Sequence, residues 1–205
     1  MDSKYYTSLA RALSMALHPL VLPLYLVAML FTQTTFSLFP TGVKWYLGGS
    51  VLLYGSIVPM LAVLLLYKIG WLKDLHIHHR RDRLLPLLIG AIAYMLCALV
   101  IAKVPQAAFL RKFMLAAALC ELFCLVLSTE WKVSLHLTAM GAAVALLVVM
   151  NSLGLTQLFG WLIGTVLAAG LLASARLYLG HHNPRQVLVG FLGGFLLTHI
   201  ALFWL

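Results

Sequence analysis

Acidic residues are scarce in this chain. Only five of its 205 residues are aspartate or glutamate, against 14 lysines and arginines, so the formal net charge is +9. Magnesium sites in proteins are built mainly from carboxylates. The scarcity therefore argues against the magnesium-dependent transferases and phosphatases that rely on aspartate clusters. The five acids are Asp2, Asp74, Asp82, Glu121 and Glu130.

Cysteine is also rare, and its positions exclude two common uses. The chain has three cysteines, Cys97, Cys120 and Cys124, and each lies inside an apolar run. Paired cysteines of a disulfide framework and zinc-binding cysteines both follow characteristic spacings that are missing here. We interpret all three as small buried apolar side chains.

Apolar residues are abundant, at 63% of the chain, and the mean hydropathy is +1.03. A membrane-spanning helix needs about 20 apolar residues. Seven apolar runs approach this length, and the fifth of them is short, which leaves a count of six or seven helices. The sequence therefore predicts an all-α, polytopic transmembrane bundle of six to seven helices in a single domain, 1–205. We expect an integral protein of the bacterial inner membrane, whose first helix is retained and not cleaved as a signal peptide. The apolar runs cover 18–39, 46–68, 85–103, 109–129, 133–151, 155–175 and 184–205.

Three polar clusters, at 68–83, 132–136 and 176–186, interrupt these runs. Two predicted spans separate each cluster from the next, so all three are expected at the same membrane face as the N-terminus. Counting positive charges places that face in the cytoplasm. Because the counted charges are themselves candidate site residues, the orientation stays open.

The third cluster has the residue types that bind and attack a phosphate. Arg176 precedes His182 by six positions, and Asn183-Pro184 marks a helix start directly after it. Guanidinium binds phosphate through paired charge-assisted hydrogen bonds, and a helix N-terminus adds free N–H groups. Histidine and charged residues are costly near a bilayer, so their presence indicates function.

The clusters resemble the three motifs of the type-2 phosphatidic acid phosphatase superfamily, which includes glucose-6-phosphatase and the vanadium haloperoxidases. The third motif is matched by Arg176, five residues, His182, three residues and Gln186. The second is matched by Val133-Ser134-Leu135-His136, and the first by Lys73, six residues and Arg80. Arg83, shortly before Pro86, is an alternative arginine for the first motif. The resemblance covers about residues 68–195.

This resemblance implies an acid-phosphatase-type lipid phosphate phosphatase, a hydrolase of phosphoric monoesters or diphosphates that needs no metal or cofactor. His182 would be the nucleophile that forms a phosphohistidine, His136 the acid, and Gln186 the partner that orients His182. The expected partners are membrane lipids and a lipid phosphate or polyprenyl diphosphate substrate, and no nucleic acid. The expected phosphate-binding residues are Lys73, Arg80, Arg83, Lys132, Ser134 and Arg176.

Departures from the family pattern leave alternatives open. Ala175, Leu135 and Gln186 stand where the family has serine, glycine and aspartate, which favours a non-catalytic lipid-phosphate-binding protein as one alternative. A small soluble phosphate ester is another substrate, since the third motif is closest to that of glucose-6-phosphatase. Gln186, three positions after Asn183, also fits a helix-capping box.

A histidine-bound metal is a further alternative. The chain has eight histidines, including the groups His76, His78, His79 and His181, His182. Histidine-rich membrane oxygenases use such groups, but His18 and His199 do not share their spacing.

Overall fold

The computed structural model describes residues 3–72, 81–154 and 158–204. Every regular element in these ranges is helical. The eight α-helices are α1 (Ser3–Ala16), α2 (Leu22–Gln33), α3 (Thr41–Lys68, with a π-helical turn at Leu53–Ile57), α4 (Leu84–Ile101), α5 (Ala108–Glu130), α6 (Leu135–Ser152), α7 (Phe159–Tyr178) and α8 (Pro184–Trp204).

Within the described residues, five helices are long and apolar enough to cross a membrane, namely α3, α4, α6, α7 and α8. This finding is consistent with an integral membrane protein. The expected first span, 18–39, is wrong in its bounds, because its helix covers only the 12 residues Leu22–Gln33. Pro23 lies in the first turn of α2, and Thr34 ends it in an extended conformation before the 3₁₀ turn Thr35–Leu38.

Helix α1 is an element that the hydropathy runs do not contain. Its sequence alternates polar and apolar residues at helical spacing, so it is amphipathic with almost no net hydrophobicity. It packs mainly against α7.

The centre of the bundle is α6, which is buried along most of its length. It packs backbone to backbone on α8, because the Cα atoms of Gly141 and Gly194 lie against main-chain atoms of Phe191 and Thr138. A methyl group at either glycine would overlap these atoms, so glycine is required for this close approach.

Hydrogen bonds define two ends of the bundle. At one end, the Tyr46 hydroxyl donates to the Val100 carbonyl, and Lys112 Nζ donates to the Leu202 carbonyl. At the other end, the start of α4 meets the start of α6, and the start of α6 meets the start of α8. We call this second end the polar end, since the described parts of all three polar clusters lie there.

Candidate phosphate site at the polar end

Two hydrogen bonds join the three clusters at the polar end. Arg83 is 7% exposed, and its Nη1 donates to the Val133 carbonyl at 3.1 Å. The Ser134 N–H donates to the Gln186 carbonyl at 3.3 Å. A Cβ added at Gly190, a full turn into α8, would lie 2.8 Å from the Ser134 carbonyl. Helix α6 therefore begins below the first turn of α8, and the site is recessed between them.

A tight turn places His182 directly before the start of α8. Gly180 has φ +67°, a left-handed conformation that glycine adopts without a Cβ clash, and it ends α7 by donating to the Leu177 carbonyl. Asn183 then caps α8, because its Oδ1 accepts from the Gln186 N–H at 2.9 Å. Pro184 fits the first helical position, where no N–H is needed.

Gln186 closes this capping box and also holds His182. Its Oε1 accepts from the Asn183 N–H at 3.1 Å and lies 3.2 Å from His182 Nδ1. A backbone N–H can only donate, so the atom that faces both groups is the amide oxygen. Nδ1 of His182 must therefore carry the proton, and Nε2 has the free lone pair. The sequence posed capping and orientation as alternatives, and the geometry combines them in one oxygen.

Burial keeps His182 neutral. The side chain is 9% exposed, and burial, followed by the Arg176 charge, lowers the His182 pKa to about 3. Arg83 and Lys132 lower the pKa further, whereas the hydrogen bond to Gln186 acts in the opposite direction. At neutral pH the imidazole is therefore uncharged, which is the nucleophilic form.

His136 lies in the first turn of α6, and the N-terminal segment contacts its ring. Its Nε2 is 3.1 Å from the Ser14 carbonyl at the end of α1, and a carbonyl only accepts, so Nε2 carries a proton. The His18 ring meets the His136 ring edge-on, with ring centroids 5.1 Å apart. The His18 pKa is lowered by burial and by the Arg176 charge.

Sequence reasoning did not assign His18 or Ser14 to the site. Neither residue belongs to a motif, and both reach His136 only because the turn between α1 and α2 lies across the start of α6. The amphipathic pattern of residues 3–16 was the available signal, since such a helix lies at a surface, and here its last turn contacts His136.

Three cations lie near one another at the polar end. Arg83, Lys132 and Arg176 affect one another, since the Lys132 pKa is lowered by burial and then by the Arg83 and Arg176 charges. The Arg83 pKa is lowered by burial, and the Cys124 and Glu121 side chains act in the opposite direction. The Arg83 charge in turn lowers the Lys132 pKa. Mutual repulsion of partly buried cations is relieved when an anion binds between them.

Several buried polar atoms at the polar end have no hydrogen-bond partner within the described ranges. They include Ser134 Oγ, Arg176 Nε and Ser14 Oγ. Ser134 is 0% exposed and precedes α6 without capping it through its side chain. Leaving a buried polar group unpaired costs about 1–3 kcal/mol, so such groups call for a ligand or a water.

The structure thus brings seven of the nine predicted site residues to the polar end: Arg83, Lys132, Ser134, His136, Arg176, His182 and Gln186. The other two, Lys73 and Arg80, lie outside the described residues, as do His76, His78 and His79. Among 3–72, 81–154 and 158–204, no three histidine, cysteine, aspartate or glutamate side chains are grouped to hold a metal ion.

Models of protein families, curated proteins and solved structures were each compared with this chain, and none matches it. The geometry of the polar end therefore carries the functional argument.

Proposed function

We propose that this protein is a metal-independent membrane phosphohydrolase, which removes phosphate from a lipid phosphate or diphosphate through a phosphohistidine at His182. The observation that carries the proposal is the state of that imidazole. Its Nδ1 faces the Gln186 amide oxygen at 3.2 Å, which leaves the Nε2 lone pair for attack. Burial lowers the His182 pKa, which favours the neutral form. The motif resemblance stated above points to the same chemistry.

The surrounding charges fit the transfer of a phosphoryl group. This reaction requires positioning and neutralisation of the phosphoryl oxygens more than covalent chemistry by the protein. Arg83, Lys132 and Arg176 supply fixed positive charge, while Ser134 Oγ and Arg176 Nε supply unpaired hydrogen-bonding groups. Fixed cations in a recessed, partly dry site stabilise the developing charge as a metal ion does.

In the proposed first step, Nε2 of His182 attacks phosphorus, and a P–N bond forms as the P–O bond to the leaving group breaks. The leaving oxygen takes a proton from His136. Since the Ser14 carbonyl accepts from Nε2 of His136, the transferred proton comes from Nδ1, so His136 enters this step as the imidazolium and leaves it neutral. Water then attacks phosphorus and returns a proton to His136, the P–N bond breaks, and inorganic phosphate leaves.

A lipid substrate follows from the setting. Five described helices have membrane-spanning length and composition, and three of them, α6, α7 and α8, contain His136, Arg176 and Gln186. The last turn of the amphipathic α1 contacts His136. Phosphates at headgroup level reach such a site at high local concentration. We propose six to seven spans, with α5 and the short α2 as the additional ones, in a bacterial inner membrane.

A non-catalytic lipid-phosphate binder is the second candidate, favoured by Ala175, Leu135 and Gln186 in place of the family residues. The hydrogen bond from His182 to Gln186 argues against it, because binding alone requires the cations but no oriented imidazole. A soluble phosphate ester remains the alternative substrate.

The test is phosphate release by purified protein from a panel that contains phosphatidic acid, a polyprenyl diphosphate and a hexose phosphate, with EDTA present. The proposal predicts release from the lipid phosphates, inhibition by vanadate and no release by His182→Ala. Binding of lipid phosphate without release favours the non-catalytic candidate, and loss of activity in EDTA with recovery on adding iron favours the histidine–metal alternative.

A further inference from the structure

A long apolar groove runs down the outside of the bundle between α2, α6 and α7. Its volume is about 730 Å³, within the range of roughly 300–1,000 Å³ that is usual for small-molecule sites. Trp161 and Gly164 in its wall are exposed, so the groove opens along the side of the bundle and is not enclosed. We call it the α2–α7 groove.

The groove extends to residues that lie next to the polar end. Along α6 its wall is Met140, Ala143 and Leu147, which follow His136 at four, seven and eleven positions and so share its face of the helix. Leu17, beside His18, lines the upper end of the groove. The stripe from His136 to Leu147 is about 16 Å long, half of a hydrocarbon core of about 30 Å.

Both threonine hydroxyls in the groove are hydrogen-bonded within their own helices. Thr32 Oγ1 donates to the Ala28 carbonyl at 2.9 Å, and Thr165 Oγ1 donates to the Trp161 carbonyl at 2.8 Å. Because each hydroxyl bonds to a carbonyl of the preceding turn of its own helix, neither hydroxyl needs a further partner in the groove. The lining of the groove includes no charged residue, so its wall along the helices is apolar.

We infer that the α2–α7 groove holds the hydrocarbon chain of an amphiphile whose phosphate lies against Arg176 and His182. This inference rests on the proposed function for the identity of the headgroup. A ligand that fits both parts must have one anionic end and one apolar chain, which excludes a soluble sugar phosphate. The substrate enters sideways from the bilayer, with its chain along α6 and α7.

Two glycines on α7 give a matched pair of variants for the test. Gly164 lines the groove and Gly170 does not, yet a Cβ added at either position meets no atom within 4 Å. Both positions are exposed on the same helix. Gly164→Phe therefore fills the groove, and Gly170→Phe controls for adding an exposed aromatic ring to α7. Gly160→Phe, which also lines the groove without a close neighbour, is the second filling variant.

The measurement is kcat/KM for two lipid phosphates with the same headgroup, one with a long chain and one with a water-soluble short chain. We expect Gly164→Phe to lower kcat/KM for the long chain at least about 10-fold, because loss of about two methylenes from an apolar site has an effect of that size. Activity on the short chain should change less than about twofold. Gly170→Phe should change neither. Equal loss on both chains, or the same loss in Gly170→Phe, would overturn the inference.

A second readout separates this inference from the proposed function. His182→Ala protein in vesicles of zwitterionic lipid is labelled with a long-chain phosphatidic acid analogue that carries a photoreactive group in its chain. We expect label on the Met140–Leu147 and Trp161–Ala168 peptides, and we expect unlabelled long-chain lipid phosphate to suppress it. This result supports the groove even if the wild type releases no phosphate. Equal labelling by an uncharged analogue indicates bulk lipid, and cross-links to a second copy indicate a dimer interface. Either result contradicts the inference.

Discussion

Replacing Gln186 tests whether its oxygen orients the nucleophile or only caps a helix. Gln186→Leu removes both bonds that Oε1 accepts, one from His182 Nδ1 at 3.2 Å and one from the Asn183 N–H at 3.1 Å. Loss of the first frees His182 to take the other tautomer, in which Nε2 carries the proton and cannot attack. A hydrogen bond of this kind is worth roughly 1–3 kcal/mol, so we expect kcat to fall by about 5- to 160-fold.

The matched control is Asn183→Ala, which removes the other half of the same capping box. It deletes the Oδ1 that accepts from the Gln186 N–H at 2.9 Å and leaves the His182–Gln186 bond in place. Loss of a cap costs about 1 kcal/mol of stability. We therefore expect Asn183→Ala to melt at a lower temperature with nearly unchanged kcat. If Gln186→Leu also keeps full kcat and loses only stability, Gln186 has no role in catalysis.

Gln186→Glu extends the test to pH. Burial lowers the His182 pKa to about 3, so protonation of the nucleophile should limit the wild-type rate only in strong acid. A carboxylate in place of the amide stabilises the imidazolium and raises the His182 pKa. The acidic limb of kcat against pH should therefore move to higher pH in Gln186→Glu, with activity retained near neutral pH. An unmoved acidic limb would mean that another group controls it.

Three further predictions follow from other contacts. His136→Ala should slow hydrolysis most for substrates with poor leaving groups, measured as the rate ratio between an alkyl and a nitrophenyl phosphate; an unchanged ratio contradicts its role as the acid. Arg83→Lys keeps the positive charge but loses the planar donor that binds the Val133 carbonyl, so we expect kcat/KM to fall about 10-fold. Gly194→Ala should destabilise the protein by at least about 1–3 kcal/mol, because its methyl overlaps the Thr138 main chain, whereas Gly170→Ala, with open space around it, should not; thermal unfolding of the two variants compares them.

The long helices could be predicted from the sequence because their signal is local. Each of the runs from 46–68 to 184–205 is a helix with bounds shifted by at most a few residues, apart from the start of α3 at Thr41. The capping box was equally local, since Asn183, Pro184 and Gln186 lie within one turn. Patterns of this kind depend on hydrogen bonds and burial within a single element.

Contacts between elements could be predicted only where chain parity decided them. Parity predicted that Arg83, Ser134 and His182 lie at the same end of the bundle, and hydrogen bonds through Val133 and Gln186 connect their segments there. No sequence pattern indicates that the end of α1 lies at the start of α6, because this contact depends on tertiary packing around the α1–α2 turn. His18 and Ser14 were therefore missed at His136. The first span was predicted too long, as 18–39, because apolar residues continue past Gln33, whereas Thr34 ends the helix.

The most direct test of the central claim is to trap the phosphoenzyme. Purified protein is mixed with a lipid phosphate labelled with ³²P in its headgroup, quenched in alkali, which preserves phosphohistidine, and digested for peptide mapping. We predict an acid-labile label on the peptide that contains His182, absent in His182→Ala. Release of labelled phosphate by the wild type with no trapped label at His182 would contradict the account.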